Sequence, residues 1–221
     1  MVLYRADEAG NKTAPERFHS DGLLSKQVNS GDDPRPHIKY GWLNTIKSHI
    51  NPKGDLQLFI HHTSAYLSTT SKFAIAQHYL RTRSNYDFLP VSRREDAGAF
   101  LFEFCFDASG LEEVGTGLFI YSFTCNYRRG EKDPKFASLI GHITNCNICR
   151  HQEHYRHKML LIDASRFLNP LKNLYQQDYE NAVRDHEWLL LPMDPMLDGP
   201  GFQSRIPISD FWRVYFFRYV L

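Results

Sequence analysis

Apolar and polar residues alternate from Met1 to Ala6, and the run, which carries Arg5 in its middle, predicts an interior strand. Asn11 to Arg17 is polar around Pro15, Phe18 to Leu24 turns back through Gly22, and Asn29 to Pro36 is a loop by composition. Ile38, Trp42, Ile46 and Ile50 recur at every fourth position, which predicts a helix from His37 to Ile50 stopped by Asn51-Pro52-Lys53-Gly54. Leu56 to Leu67 reads as a strand that runs into the hydroxyls Ser68-Thr69-Thr70-Ser71. Behind it Phe73, Ala76, Gln77 and Leu80 mark an amphipathic helix from Lys72 to Arg81.

Further on, Arg81 to Asp96 is charged. Ala99 to Phe106 and Leu118 to Cys125 are rich in aromatic and β-branched residues and predict two paired strands around an acidic, glycine-containing connector. Met159 to Ala164 is another apolar strand. Asn169-Pro170 opens an expected helix with Leu171, Leu174, Tyr175, Tyr179 and Ala182 on one face, ending near Arg184. Asp185-His186-Glu187 then falls in a turn before the apolar strand Trp188-Leu189-Leu190-Leu191. Met193 to Phe202 is a Pro/Gly loop, and Asp210 to Leu221 a final aromatic strand.

Two features of this pattern need a chemical reason. N-capping of the following helix explains one hydroxyl of the Ser68 to Ser71 run, Thr70 or Ser71, but not why the strand side also ends in Ser68 and Thr69. Arg5 and Glu187 place charges at strand positions where an apolar side chain packs better. Arg5 reads either as a phosphate or backbone fork or as half of a salt bridge to Asp7 or Glu8; Glu187 reads as an aimed carboxylate or a surface strand-end residue.

Leu3-Tyr4-Arg5-Ala6-Asp7 with Gly22-Leu23, then Tyr66-Leu67-Ser68-Thr69-Thr70, then Asp185-His186-Glu187-Trp188 with Arg205-Ile206-Pro207 stand in the order of an arginine, a Ser-Thr-Ser/Thr and a Glu/Gln-x-Glu motif. In this the chain resembles the mono-ADP-ribosyltransferase toxins of the cholera and pertussis toxin type. The resemblance implies an α+β, ADP-ribosyltransferase-like fold, with two small packed β-sheets around an NAD cleft and flanking helices. It implies transfer of ADP-ribose from NAD, the co-substrate, to a host macromolecule, a protein side chain rather than nucleic acid, with release of nicotinamide. Glu187, Ser68, Arg5, Asp185 and His49 are the catalytic set so implied, and Arg5, Ala6, Asp7, Ser68, Thr69, Thr70, Tyr66 and Phe73 the residues that bind NAD. Asp185 departs from the Glu or Gln of the motif, so an arginine acceptor is only mildly favoured. His49 also reads as a cation against a helix C-terminus, and Tyr66 and Phe73 as core aromatics. An NAD glycohydrolase on the same site, or a non-catalytic module that binds through a basic Cys/His region, are the alternatives.

That basic region, about 126–158, is read as an insertion in a single catalytic domain spanning 1–221. Within it Cys146 and Cys149, with His154 and His157, have spacing that suits a structural zinc site, a disulfide or a solvated loop. Cys105 and Cys125 read as buried thiols. With 26 basic and 25 acidic residues the net charge is +1, so no global field favours nucleic acid or a membrane surface. No apolar run reaches the roughly 18 residues of a membrane span, and the opening residues lack the regions of a signal peptide. A toxin or effector of this kind is expected to be secreted or translocated and to act in the target-cell cytoplasm, with a delivery or binding subunit on another chain.

Overall fold

The computed structural model describes residues 1–9, 23–24, 41–51, 66–82, 98–124, 155–193, 195–198, 201–206 and 211–218. Its strands are β1 (Val2–Ala9), β2 (Leu23–Leu24), β3 (Leu67–Thr70), β4 (Gly98–Cys105), β5 (Leu111–Gly115), β6 (Leu118–Phe123), β7 (His157–Asp163), β8 (Glu187–Pro192), β9 (Pro195–Asp198), β10 (Gly201–Ile206) and β11 (Trp212–Arg218). The helices are α1 (Trp42–Ile50), α2 (Phe73–Thr82), α3 (Ala164–Leu168) and α4 (Gln176–Asp185). The fold is α+β.

One antiparallel sheet of eight strands runs in the order β11-β4-β1-β3-β8-β7-β6-β5, and β2-β10-β9 form a sheet of three. Where two small sheets are expected, the large sheet is continuous, but it is nearly divided. β1 matches β4 along its whole length, from Val2↔Cys105 to Ala9↔Gly98, whereas β1 and β3 meet at a single pair, Tyr4↔Thr70. On the far side β3 pairs fully with β8, from Leu67↔Leu190 to Thr70↔Glu187. The sheet therefore consists of two sections, β11-β4-β1 and β3-β8-β7-β6-β5, joined at one register position.

β4 and β5 stand near opposite ends of the strand order although only residues 106–110 connect them, so the sheet curls back on itself. Its concave face holds an aromatic core of Phe102, Phe104, Phe106, Tyr121, Phe123 and Trp212 with Leu3, Leu67, Leu161 and Leu190. The period-two alternation of a strand sends the intervening residues the other way. Leu160, Ile162, Leu189 and Leu191 meet Ile46 and Ile50 of α1, Leu168 of α3 and Ala182 of α4, while Ala6, Ala99 and Leu101 meet Ala76 and Leu80 of α2. Each large side chain withdrawn from water contributes about 1.5–3 kcal/mol, which holds both faces of the curl in place.

Four expectations are corrected. The runs around 99–106 and 118–125 do not pair: β4 lies between β1 and β11, and β6 lies between β5 and β7. The connector itself supplies β5, whose exposed Glu112 and Glu113 hide an edge strand, and the β5–β6 turn needs Gly117 (φ 72°), where a Cβ would stand 2.7 Å from the Phe167 nitrogen. The expected helix over 169–184 is broken. Asp163 caps α3 by accepting from the Arg166 N–H, a 3-10 turn follows at Asn169–Leu171, and α4 starts only at Gln176, leaving Leu174 exposed. The Pro/Gly segment expected as a loop forms β9 and β10, paired from Gly201↔Asp198 to Ser204↔Pro195. In α2 the buried positions are Ala76 and Leu80, flanked by the half-buried Ile75 and Tyr79, whereas Phe73 and Gln77 face outward. No described helix is long and apolar enough to cross a membrane.

Candidate active site

The narrow join between the two sheet sections creates the site. Continuing the Tyr4↔Thr70 register would set Arg5 opposite Thr69 and Ala6 opposite Ser68, but no such pairs form. A small cleft of about 90 Å³, open to solvent, lies there. β1 contributes Tyr4, Arg5 and Ala6 to its wall, and β3 contributes Ser68, Thr69 and Thr70. Ile75, Ala76 and Tyr79 of α2 and Asp185 and Glu187 of the α4–β8 turn complete it.

Arg5 spans the gap. It is buried, and its Nη1 donates to the Ser68 carbonyl at 2.9 Å, where a β1–β3 ladder bond would otherwise run. A planar guanidinium with several donors can satisfy that carbonyl and still serve the cavity.

The Ser68, Thr69 and Thr70 hydroxyls and the Ser71 backbone N–H each have a partner across the sheet. Ser68 Oγ donates to Glu187 Oε1 at 2.7 Å, Thr69 Oγ1 to the Trp188 carbonyl at 2.8 Å, and Thr70 Oγ1 to the Asp185 carbonyl at 2.8 Å. The Ser71 N–H donates to the His186 carbonyl at 3.2 Å. Four consecutive residues of one segment thus hold four consecutive residues of the other, 185–188. Thr70 Oγ1 also accepts from the Lys72 N–H at 3.1 Å, fixing the turn into α2.

Between the two cavity carboxylates, His186 adopts the left-handed conformation (φ 46°, ψ 48°) as the C-cap of α4, its N–H bonding back to the Ala182 and Val183 carbonyls. Such a residue costs about 1–2 kcal/mol outside glycine. The sharp change of direction brings Asp185 and Glu187 onto the same cavity.

Glu187 is not a surface strand-end residue: only 9% of it is exposed. Burial pushes its carboxyl up from 4.5 to about 7; the Ser68 hydrogen bond opposes this, the negative Asp185 adds to it, and Arg184 and Arg5 oppose it. His49, in the last turn of α1, places Nε2 3.7 Å from Glu187 Oε1, inside the protein rather than against a solvated helix end.

The remaining residues singled out from the sequence are more dispersed. Tyr66 is buried beside α1, its hydroxyl 2.8 Å from Thr45 Oγ1 and its ring edge-on to His49, outside the cavity wall. Burial pushes its phenol up to about 12, so it stays neutral. Phe73 is half exposed and meets the Tyr4 ring edge-on, with centroids 5.4 Å apart. Asp7 takes its place in β1 opposite Phe100. Cys125, Cys146, Cys149 and His154 lie outside the described residues, and His157 is buried in β7 with its ring stacked on Phe123. Cys105 is a free, partly buried thiol. Tyr4 and Tyr79 are wall residues that sequence reasoning passed over. The Ile75/Tyr79 spacing of four was the available signal, since one helical face that places an aromatic one turn beyond a small Ala76 can approach a ligand closely.

Compared with protein-family models, with characterised proteins and with solved structures, the chain has no match.

Proposed function

We propose that the chain is a mono-ADP-ribosyltransferase toxin or effector that cleaves NAD between nicotinamide and ribose and passes the ADP-ribose to a macromolecule of a host cell. The observation that carries this reading is the run of contacts Arg5–Ser68–Glu187 along one cavity wall, made by residues from three separated parts of the chain. The near-division of the sheet into two sections around that cavity agrees with a split-sheet, ADP-ribosyltransferase-like architecture.

Breaking the nicotinamide–ribose bond leaves the electron pair on the nicotinamide nitrogen and develops positive charge on the ribose ring. Glu187, ionised and held by Ser68, faces that charge from a partly dry site, where an aimed carboxylate is worth several kcal/mol. The Tyr4 and Tyr79 rings offer flat apolar surfaces for nicotinamide, and Arg5 a rigid fork for the phosphates or ribose-proximal backbone. Asp185 faces the acceptor from the same turn. His49 stands behind Glu187 and steadies its negative form when protonated.

Incubating the chain with NAD labelled on the adenylate, with and without host-cell lysate, tests the assignment. Free nicotinamide together with labelled macromolecule is expected. Nicotinamide without any labelled macromolecule would instead assign an NAD glycohydrolase, and intact NAD would overturn both.

A further inference from the structure

Tyr66 stands just ahead of β3, two residues before Ser68, so the two side chains leave the strand on the same face. Ser68 holds Glu187 Oε1 at 2.7 Å, and His49 Nε2 lies 3.7 Å from the same oxygen. Tyr66 reaches His49 in two ways. Its hydroxyl is 2.8 Å from Thr45 Oγ1, one turn before His49 on α1, and its ring stands edge-on to the imidazole, centroids 5.8 Å apart at 81°. Thr45 Oγ1 sits 3.1 Å from the Gly41 carbonyl and 3.0 Å from that of Trp42, so its one proton is given to its own helix and the Tyr66 O–H is the donor between the two side chains. Thr45 is fully buried and Tyr66 is 3% exposed, which keeps water from replacing either hydroxyl.

The other anchors of α1 do not set this angle. Ile46 and Ile50 pack on the sheet through apolar contacts, which have no direction of their own. Lys47 points to the opposite flank of the helix, 3.5 Å from the centre of the Tyr175 ring. We propose that Tyr66 is a positioning residue: through Thr45 it fixes the rotation of α1 and so holds His49 against Glu187, instead of touching the dinucleotide. One strand end thereby sets both partners of the pair, Glu187 through Ser68 and His49 through Tyr66. The consequence for turnover rests on the reading of Glu187 as the carboxylate that cleaves NAD.

Among the described residues, the charges acting on Glu187 are Arg5 from β1, Arg184 and Asp185 from the end of α4, and His49 from α1 when protonated. A protonated His49 at that distance favours the ionised carboxylate, so the pair gives up its first proton at a lower pH than Glu187 would alone. Freeing α1 to rotate removes that help and moves the ionisation of Glu187 upward.

Carbon-13 NMR of the Glu187 side-chain carboxyl, assigned with Glu187→Gln, reads this midpoint whether or not the chain turns over NAD. Tyr66→Phe keeps the ring and removes the hydroxyl, and Thr45→Val keeps the shape and removes the acceptor; each is expected to raise the midpoint by about 0.5–1 pH unit. Thr45→Ser, which retains the hydroxyl, is expected to leave it in place. His49→Gln should raise it at least as far, and adding Tyr66→Phe to His49→Gln should move it no further. For NAD cleavage the same shift is a loss of about three- to tenfold in kcat/KM at pH 6 that disappears well above neutrality. An unchanged midpoint in either Tyr66→Phe or Thr45→Val, with only a lower melting temperature, overturns the proposal. So does a Tyr66→Phe shift of equal size with and without His49, or a Thr45→Ser shift as large as that of valine. If the parent chain releases no nicotinamide, the NAD reading fails, and the midpoint still decides the role of Tyr66.

Discussion

Ser68 reaches Glu187 diagonally: the strand register sets Thr70 opposite Glu187 and Leu189 opposite Ser68, yet Ser68 Oγ lies 2.7 Å from Glu187 Oε1 on the shared face. The carboxylate is therefore bent back along β3 and held over the cavity rather than over its own strand partner. Ser68→Ala removes the hydrogen bond that favours the charged form, so the Glu187 carboxyl should titrate above its already raised value. A hydrogen bond to a charged group is worth about 1.5–3 kcal/mol, which corresponds to roughly a 10- to 150-fold fall in kcat/KM for NAD at neutral pH. A pH series should show the loss shrinking as pH rises; a loss equal at all pH values would mean that Ser68 acts on something other than the Glu187 proton.

The raised carboxyl of Glu187 gives two opposite pH dependences. Activity requires the ionised form, so kcat/KM should climb about tenfold per pH unit below about 7 and level off above it. Stability runs the other way. Between 4.5 and about 7 the folded state binds the Glu187 proton and the unfolded state does not, so the Glu187 contribution to stability is complete below 4.5 and declines as pH rises to about 7. Glu187→Gln, which keeps the shape and loses the charge, should abolish turnover and raise stability on the order of 2–3 kcal/mol at pH 8, with the difference vanishing near pH 4. Chemical denaturation of both forms at the two pH values checks it.

How much of this could be read from the sequence follows from which signals are local. The hydroxyl run and the two misplaced charges were visible because each breaks an apolar strand pattern, and their chemistry does not depend on neighbours in space. That the Ser68, Thr69 and Thr70 hydroxyls each have a partner in 185–188 was not visible, because pairing β3 with β8 joins segments well over a hundred residues apart. β5 escaped because, as an edge strand, it keeps Glu112 and Glu113 in water and so carries no alternation. Pro195 and Gly201 likewise disguised β9 and β10, since the three-stranded sheet admits a proline at the first residue of a strand. Phe73 stands at the strand–helix junction, but the helix turns it outward and presents Ile75 and Tyr79 to the cavity instead.

His186 separates the role of backbone shape from that of side-chain chemistry. Its left-handed conformation turns the chain between Asp185 and Glu187, and its carbonyl accepts from the Ser71 N–H. His186→Gly should keep activity and relieve about 1–2 kcal/mol of local strain, partly offset by added freedom in the unfolded chain. His186→Val should cost about 1–3 kcal/mol and lower kcat as the two carboxylates part. If valine left both the melting temperature and kcat untouched, the turn would not be what aims Glu187.

Arg5 lies where β1 and β3 separate, and its bond to the Ser68 carbonyl is what closes the unpaired interval after Tyr4↔Thr70. The same carbonyl belongs to the residue whose hydroxyl holds Glu187, so the fork on one side of Ser68 and the carboxylate on the other are mechanically linked. Arg5→Lys preserves the charge but replaces a planar fork by a single ammonium, which cannot bond the carbonyl and direct a second donor into the cavity at once. Loss of a buried partner should lower stability by about 1–3 kcal/mol, and NAD affinity, measured by titration with the inactive Glu187→Gln background, should weaken about tenfold. Arg5→Met, of similar reach and no charge, should weaken NAD binding at least as much as Arg5→Lys does. Unchanged affinity in both variants, with lowered stability alone, would confine Arg5 to holding the two sheet sections together.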